Sequence, residues 1–467
     1  MTASPERIRG SFRDPSGFLY TRNGTLLRQV QERYRPSYEL LRSSGLYAAL
    51  TAEGLLVPHS ERALDEAAEP GAAFVLAPER IPFLSLPYEW CVGQRQAAAL
   101  LTLRIQEVAL AHGMVLKDAS AFNVQFCGVT PVFIDTLSFA PYVEGEPWVA
   151  YRQFCQHFLA PLALQSRRDV RLGALLRQHL DGIPLDLASA LLPRRSWLQP
   201  SLLMHVHLHA KSIAQHASTR APERAVRAAP RVSRAGLEGI VTSLRRAIDG
   251  ITWRGGTEGG DYEEAHNEDD GGRRGEGARV RSFIQEAQAR RVLDLGANAG
   301  EYSRVARSAG AELVIAADGD FMAVERGFQR LRSRGETGIH PLVVDLTNPA
   351  PAQGWDHAEW MSFADRAAAD AVMALALVHH LAIGNNVPLV GVASMLARLG
   401  REVIIEWVPK ADPQVQRLLR AREDIFDGYT VEGLLQAFAG IGLQPVRRAP
   451  VGDSGRVLFR FARESGV

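Results

Sequence analysis

The spacing of apolar residues changes character along the chain. Residues 95–112 (RQAAALLTLRIQEVALAH) predict a long helix. In 151–164 (YRQFCQHFLAPLAL), Tyr151, Phe154 and Phe158 fall at i, i+3 and i+7, which places most of the stretch in a helical core. Arg152 and His157 are the members of that stretch that would line a pocket. Leu237, Ile240, Val241, Leu244 and Ile248 recur at helical spacing, predicting one amphipathic helix over 237–248 that docks on the domain after it. Farther on, short apolar runs predict buried strands at 292–295, 312–317, 341–344, 370–377 and 402–405, and 442–462 reads as two antiparallel strands.

Two stretches break these patterns. Residues 217–235 are rich in Ala, Arg and Pro, and 254–279 in Gly and acidic residues. Neither buries enough apolar surface to offset chain entropy, so both are expected to be linkers or mobile loops. The chain then divides into an N-terminal domain (1–215), a linker region with one amphipathic helix (216–279) and a C-terminal domain (280–467). A length of 467 residues fits two or three domains.

The formal net charge of +1 gives no field to steer the chain to nucleic acid or an anionic membrane. Cys91, Cys127 and Cys155 form no Cys-x-x-Cys pair, which argues against a zinc site or disulfide framework and fits a reducing compartment. Residues 1–14 are polar and lack the apolar core of a signal peptide. No run approaches the roughly 18 apolar residues of a membrane span. The expectation is a cytoplasmic protein that binds neither membrane nor nucleic acid.

The C-terminal domain carries the clearest chemistry. Residues 291–307 (RVLDLGANAGEYSRVAR) predict a strand, a glycine turn at Gly296, Asn298 and Gly300, and a helix. Glycine lets backbone N–H groups approach a ligand. The pattern is Asp294-x-Gly296-x-Asn298-x-Gly300, not the Gly-x-Gly-x-x-Gly of dinucleotide folds. It resembles motif I of class I methyltransferases that use S-adenosylmethionine (SAM), where the Asp suits an ammonium group. The second strand ends at Asp318, placed for two ribose hydroxyls, with Asp320 a weaker candidate. The third ends at Asp345-Leu346, which by the same resemblance meets the adenine. The fourth ends at Val378-His379-His380 and the fifth at Glu406-Trp407.

Methyl transfer needs alignment of the acceptor, and a general base only where the acceptor keeps its proton. His379, His380 and Glu406 are the catalytic candidates. Either histidine touches the acceptor or caps backbone groups. Glu406 is a base, an ion-pair partner of Lys410 or a helix-start acid. Asn385 and Asn386 bind substrate or cap a helix.

The runs DLGANAGEYS, PLVVDLTNPAPAQGW, ALALVHHLAIGNNVPL and IIEWVPKADPQVQRLLRAREDIF resemble the nodulation-protein NoeA-like SAM methyltransferases. The resemblance extends through FRDPSGFLYTRNGTLLRQV, LKDASAFNVQF, VFIDTLSF and WVAYRQFCQHFLAPLAL, and so covers most of the chain. It implies a Rossmann-like seven-stranded α/β domain. SAM contacts then fall at Asp294, Gly296, Asn298, Gly300, Asp318 and Asp345, and the acceptor is a small or specialised molecule. Related proteins carry a tryptophan and paired tyrosines before the domain, where this chain has only Tyr262.

The N-terminal domain reads as α+β and resembles a degenerate kinase fold. Asp118, Asn123 five residues later and Asp135 after a short hairpin are similar to the catalytic loop and metal-binding Asp of phosphotransferases. Residues 84–90 would be the adenine-contacting hinge. The loop histidine is missing, Lys117 precedes Asp118, and no glycine-rich phosphate loop is visible. Three readings stand: a SAM methyltransferase whose N-terminal domain helps bind the acceptor, a bifunctional enzyme that also transfers phosphate from ATP, and a non-catalytic binding module.

Overall fold

The computed structural model describes residues 4–210, 231–253, 270–420, 422–452 and 454–463. Most of the Ala/Arg/Pro stretch, and the Gly/acidic stretch as far as residue 269 with Tyr262, lie outside the described residues. Two compact units form: one from residues 1–255 with 353–360, the other from 256–352 with 361–467.

The first unit opens with an antiparallel sheet of five strands: β1 (Glu6–Arg7), β2 (Gly17–Arg22), β3 (Thr25–Gln31), β4 (His59–Arg62) and β5 (Ala72–Pro78), in the order β1-β2-β3-β5-β4. Asn23 and Gly24 turn β2 into β3, both with positive φ, as a two-residue hairpin requires. Phe18, Tyr20, Leu27 and Val75 form a small buried cluster on the sheet. Helix α1 (Val92–Ala111) follows, buried along most of its length. The hairpin β6 (Val124–Cys127) and β7 (Thr130–Phe133) carries the segment between Asn123 and Asp135.

Helix α2 (Arg234–Asp249) realises the amphipathic pattern, with Leu237, Val241, Leu244 and Ile248 buried. It packs on α1, within the first unit, where the sequence had suggested a partner in the domain after it. Gln96 donates from its side chain to the Ile248 carbonyl (2.9 Å), and Arg245 pairs with Glu107 (2.7 Å). Each buried aliphatic contributes about 1.5–3 kcal/mol, which is why apolar spacing predicted the helix; spacing alone does not name the partner face.

The second unit is a mixed sheet of seven strands: β8 (Arg291–Leu295), β9 (Leu313–Asp318), β10 (Ile339–Val343), β11 (Ala369–Ala374), β12 (Gly400–Trp407), β13 (Leu443–Val451) and β14 (Arg456–Arg463). Their order is β10-β9-β8-β11-β12-β14-β13. The first five are parallel, and the closing pair is antiparallel. The order reverses beside β8, so the carboxyl ends of β8 and β11 open the crevice where ligands of such sheets bind. Helix α3 (Asp270–Glu286) begins inside the stretch expected to be linker. Its glycines favour coil, but Val280, Phe283 and Ile284 are buried and anchor it.

Candidate functional site

The glycine turn follows β8 directly. Gly296 and Gly300 have φ of 71° and 80°, and Asn298 between them has φ of 48°. A Cβ on Gly296 would press on the Leu377 side chain at 3.3 Å, and the left-handed conformation itself favours glycine here. Asn298 tolerates the left-handed region, its own side-chain oxygen accepting from the Ala299 N–H (2.7 Å).

Asp318 ties the second strand to this turn. One carboxylate oxygen accepts from the Asn298 N–H (2.8 Å) and the other from the Asp320 N–H (2.8 Å). Burial raises its pKa against the lowering effect of these N–H groups. Asp320 is occupied otherwise: it caps the helix Phe321–Arg334, accepting from Met322 (2.8 Å) and Ala323 (2.9 Å). Asp345 is exposed beyond β10 and turns back on Thr347, accepting from its N–H (2.9 Å) and hydroxyl (2.6 Å).

Asp294 sits inside β8, level with Ala316 and Met373, and is almost fully buried. It accepts from the Ser303 hydroxyl (2.6 Å), which braces the turn against the helix Glu301–Ser308. Burial pushes its pKa up to about 7.

The fourth strand ends earlier than expected, at Ala374. The chain then passes through Ala376, which has φ of 46°, an uncommon conformation for alanine. His379 follows, fully buried, its pKa lowered to about 3 by desolvation first and by its neighbour His380 second. His380 is exposed, with the two rings 4.2 Å apart. Asn385 donates to the His380 carbonyl (2.9 Å), and the Asn386 side-chain oxygen accepts from Arg422 (2.9 Å). Both asparagines therefore brace the turn.

Glu406 is buried, and its ion-pair partner is Arg456 (3.1 Å), not Lys410, which pairs with Asp424 (2.9 Å). Its carboxylate also accepts from the Ala376 backbone, so it holds the positive-φ residue that precedes the histidines. Arg456 extends to Asp412 (2.8 Å), whose other oxygen caps the helix Pro413–Leu419 through Gln414 (2.9 Å). Glu276 on α3 lies buried beside Glu406 and accepts from the Tyr302 hydroxyl. The sequence did not mark Glu276, Tyr302, Asp412 or Arg456. Glu276 falls in the stretch discounted as linker, and Arg456 reaches its partners only through strand pairing. One signal was readable: Tyr302 falls two residues after Gly300, in the first turn of the helix that follows the glycine turn.

In the first unit, Asp118, Asn123 and Asp135 also come together. Asp118 is within hydrogen-bonding reach of Asn123 and Gln153, and accepts from the Ser120 N–H (2.9 Å). Both oxygens of Asp135 are occupied, one by Arg28 and the Leu137 N–H (3.2 Å), the other by the Ser138 hydroxyl. Burial alone would raise the Asp135 pKa, but Arg28 and Ser138 outweigh it and hold it low. In the expected hinge, Gln125 closes the Ser85 backbone, accepting from its N–H (2.9 Å) and donating to its carbonyl (3.0 Å). The 151–164 stretch is mainly core, with Phe154 and Phe158 fully buried.

The second unit's strand order, with a glycine turn after the central strand and acids at the neighbouring strand ends, is that of the class I SAM-dependent methyltransferase fold. The donor set fits SAM: carboxylates for hydroxyls and an ammonium, and a turn whose glycines take the left-handed conformation. The chain is 35% identical to nodulation protein NoeA of Rhizobium meliloti (strain 1021) over 98% of its own length and 96% of that protein. It belongs to the NoeA family. No family model matches the chain. Solved structures similar to part of it include N-methyltransferase NodS from Bradyrhizobium japonicum WM9, at 14% identity and a TM-score of 0.30, covering 42% of this chain and 98% of that one. Another is magnesium protoporphyrin IX methyltransferase from Synechocystis PCC 6803 with bound SAH, at 18% identity and a TM-score of 0.32, covering 41% and 84%. Among the described residues, no helix is long and apolar enough to cross a membrane.

Proposed function

We propose that this protein moves a methyl group from SAM to a small-molecule or specialised-metabolite acceptor, with the N-terminal unit serving to bind that acceptor. Likeness to a nodulation protein suggests an acceptor made for nodulation. The observation that carries the proposal is the Asp318–Asn298 hydrogen bond, which couples an acid at one strand end to the glycine turn at the next. Asp294, Gly296, Asn298, Gly300, Asp318 and Asp345 are the residues proposed to hold the cofactor. SAM supplies an electrophilic methyl group on a positively charged sulfur. His380, exposed at the fourth strand end, is the proposed proton acceptor. His379 supports it from below, and Glu406, already committed to Arg456 and Ala376, positions the turn.

The phosphotransfer alternative draws less support. A metal ion at Asp135 would have to displace Arg28 and Ser138, and in the expected hinge Gln125 already holds both backbone groups of Ser85. Both substitutes are internal to the unit, which favours a binding role. Calorimetric titration of the full chain with SAM tests the main proposal. Saturable binding at one site is expected; no heat with either SAM or S-adenosylhomocysteine (SAH) would overturn it.

A further inference from the structure

The first unit holds a buried cation with no acid paired to it among the described residues. Arg95 stands near the amino end of α1 and is completely buried. Its Nε donates to the Gln165 side-chain oxygen (2.9 Å), on the helix Ala160–Arg167. Gln165 is fixed in turn, since its side-chain nitrogen donates to the Val170 carbonyl (3.2 Å). One edge of the guanidinium is thus anchored. Its other two nitrogens, Nη1 and Nη2, carry the remaining N–H donors of the group and are buried with no hydrogen-bond partner among the described residues. Gly173, in the turn Val170–Ala174, packs against this head: a Cβ there would come within 2.4 Å of the Gln165 Nε2 and 3.3 Å of Nη2. A side chain at 173 would therefore crowd both the guanidinium and its anchor. Buried donors without acceptors are costly, and a buried unpaired charge more so. Burial lowers the Arg95 pKa to about 10, opposed by the Cys91 thiol, so the group stays charged at neutral pH.

We propose that Arg95 is the receptor of a small inorganic anion, of chloride size, held inside the first unit by Nη1 and Nη2. Complete burial sets the size of the ligand. The guanidinium sets its charge, because this cation is weakly hydrated and presents its donors in one plane. The amino end of α1 adds to the attraction, since a helix N-terminus favours an anion. Around the anion three pieces of the unit meet: α1 through Arg95, the helix that carries Gln165, and the turn that carries Gly173. An anion bound there stabilises the folded unit as any ligand of the folded state does, by an amount that grows with the logarithm of its concentration. The proposal does not rest on the methyl-transfer reading.

The experiment uses the full chain and its Arg95→Met variant, freed of halide and compared in sodium gluconate and sodium chloride at equal ionic strength. Thermal unfolding is followed as chloride replaces gluconate. In wild type, Tm rises by about 4 °C between the two salts. Arg95→Met shows no such rise, and in gluconate it melts no lower than wild type, because methionine fills the space without a charge to satisfy. A chloride response that survives in Arg95→Met overturns the proposal, since the ions responsible then bind elsewhere. Absence of a response in wild type also overturns it, and interior water is then what satisfies the guanidinium. Should the variant fail to fold, wild type alone decides. Crystals soaked in sodium bromide should show anomalous density within hydrogen-bonding distance of Nη1 or Nη2, and density only at other places, or none, sinks the idea.

Discussion

Replacing Asp294 by Asn separates the cost of a buried carboxylate from its use. In the folded chain the Asp294 pKa is pushed up to about 7 by burial, against 3.8 for an ordinary aspartate. The folded state thus holds a proton that the unfolded chain gives up, and stability falls as pH rises from about 4 to about 7, with the full loss above that. At about 1.4 kcal/mol for each pH unit between the two values, the loss is at most about 4 kcal/mol. Asn cannot ionise, and its amide oxygen still accepts from the Ser303 hydroxyl. Its NH₂ needs a new acceptor, which returns about 1–3 kcal/mol of the gain. The variant should therefore be more stable than wild type by about 1–2 kcal/mol at pH 8, and less stable by a similar amount at pH 4, where the wild-type carboxyl is protonated. Thermal unfolding between pH 4 and 8 reads this as Tm curves that cross. If Asp294 also accepts the SAM ammonium, the same variant binds SAM about tenfold more weakly at pH 8, so stability and affinity move in opposite directions. Equal destabilisation at both pH values would refute the burial argument, and unchanged SAM affinity would remove Asp294 from the site.

Asp318→Ala removes two charge-assisted hydrogen bonds, one to the glycine turn at Asn298 and one to Asp320, and should weaken SAM binding by one to two orders of magnitude; unchanged affinity in the same titration would mean that the second strand end does not meet the ligand. His380→Ala should cut turnover at least tenfold while SAM affinity holds, since His380 is exposed; equal turnover would make it a structural turn residue. Asp135→Asn should leave methyl transfer within about twofold of wild type and lower the melting temperature through the loss of charge opposite Arg28; collapse of methyl transfer in a folded variant would contradict a purely binding role for that unit.

The elements easiest to read from sequence are those whose environment is uniform. β8 through β12 are parallel strands buried among their neighbours, so each appears as a short apolar run, and each acid at a strand end stands out against it. Asp320 shows the limit of that signal. It lies two residues from Asp318 with the same chemistry, and only the two N–H groups of Met322 and Ala323 reveal it as a helix cap. Partners across the sheet are harder still. Glu406 looked like a partner for Lys410, four residues away, because local spacing is what a sequence displays. Its actual partner, Arg456, lies 50 residues on and arrives through antiparallel pairing of β12 with β14, in which Trp407 meets Val457. Glu276 escaped for the opposite reason: its surroundings are rich in glycine, which masks a helix anchored from outside by Val280, Phe283 and Ile284. The acids visible from sequence are those at or near strand ends, Glu406 among them. Glu276 and Asp412 join Glu406 around Arg456 only once the strands are paired and the helix is anchored.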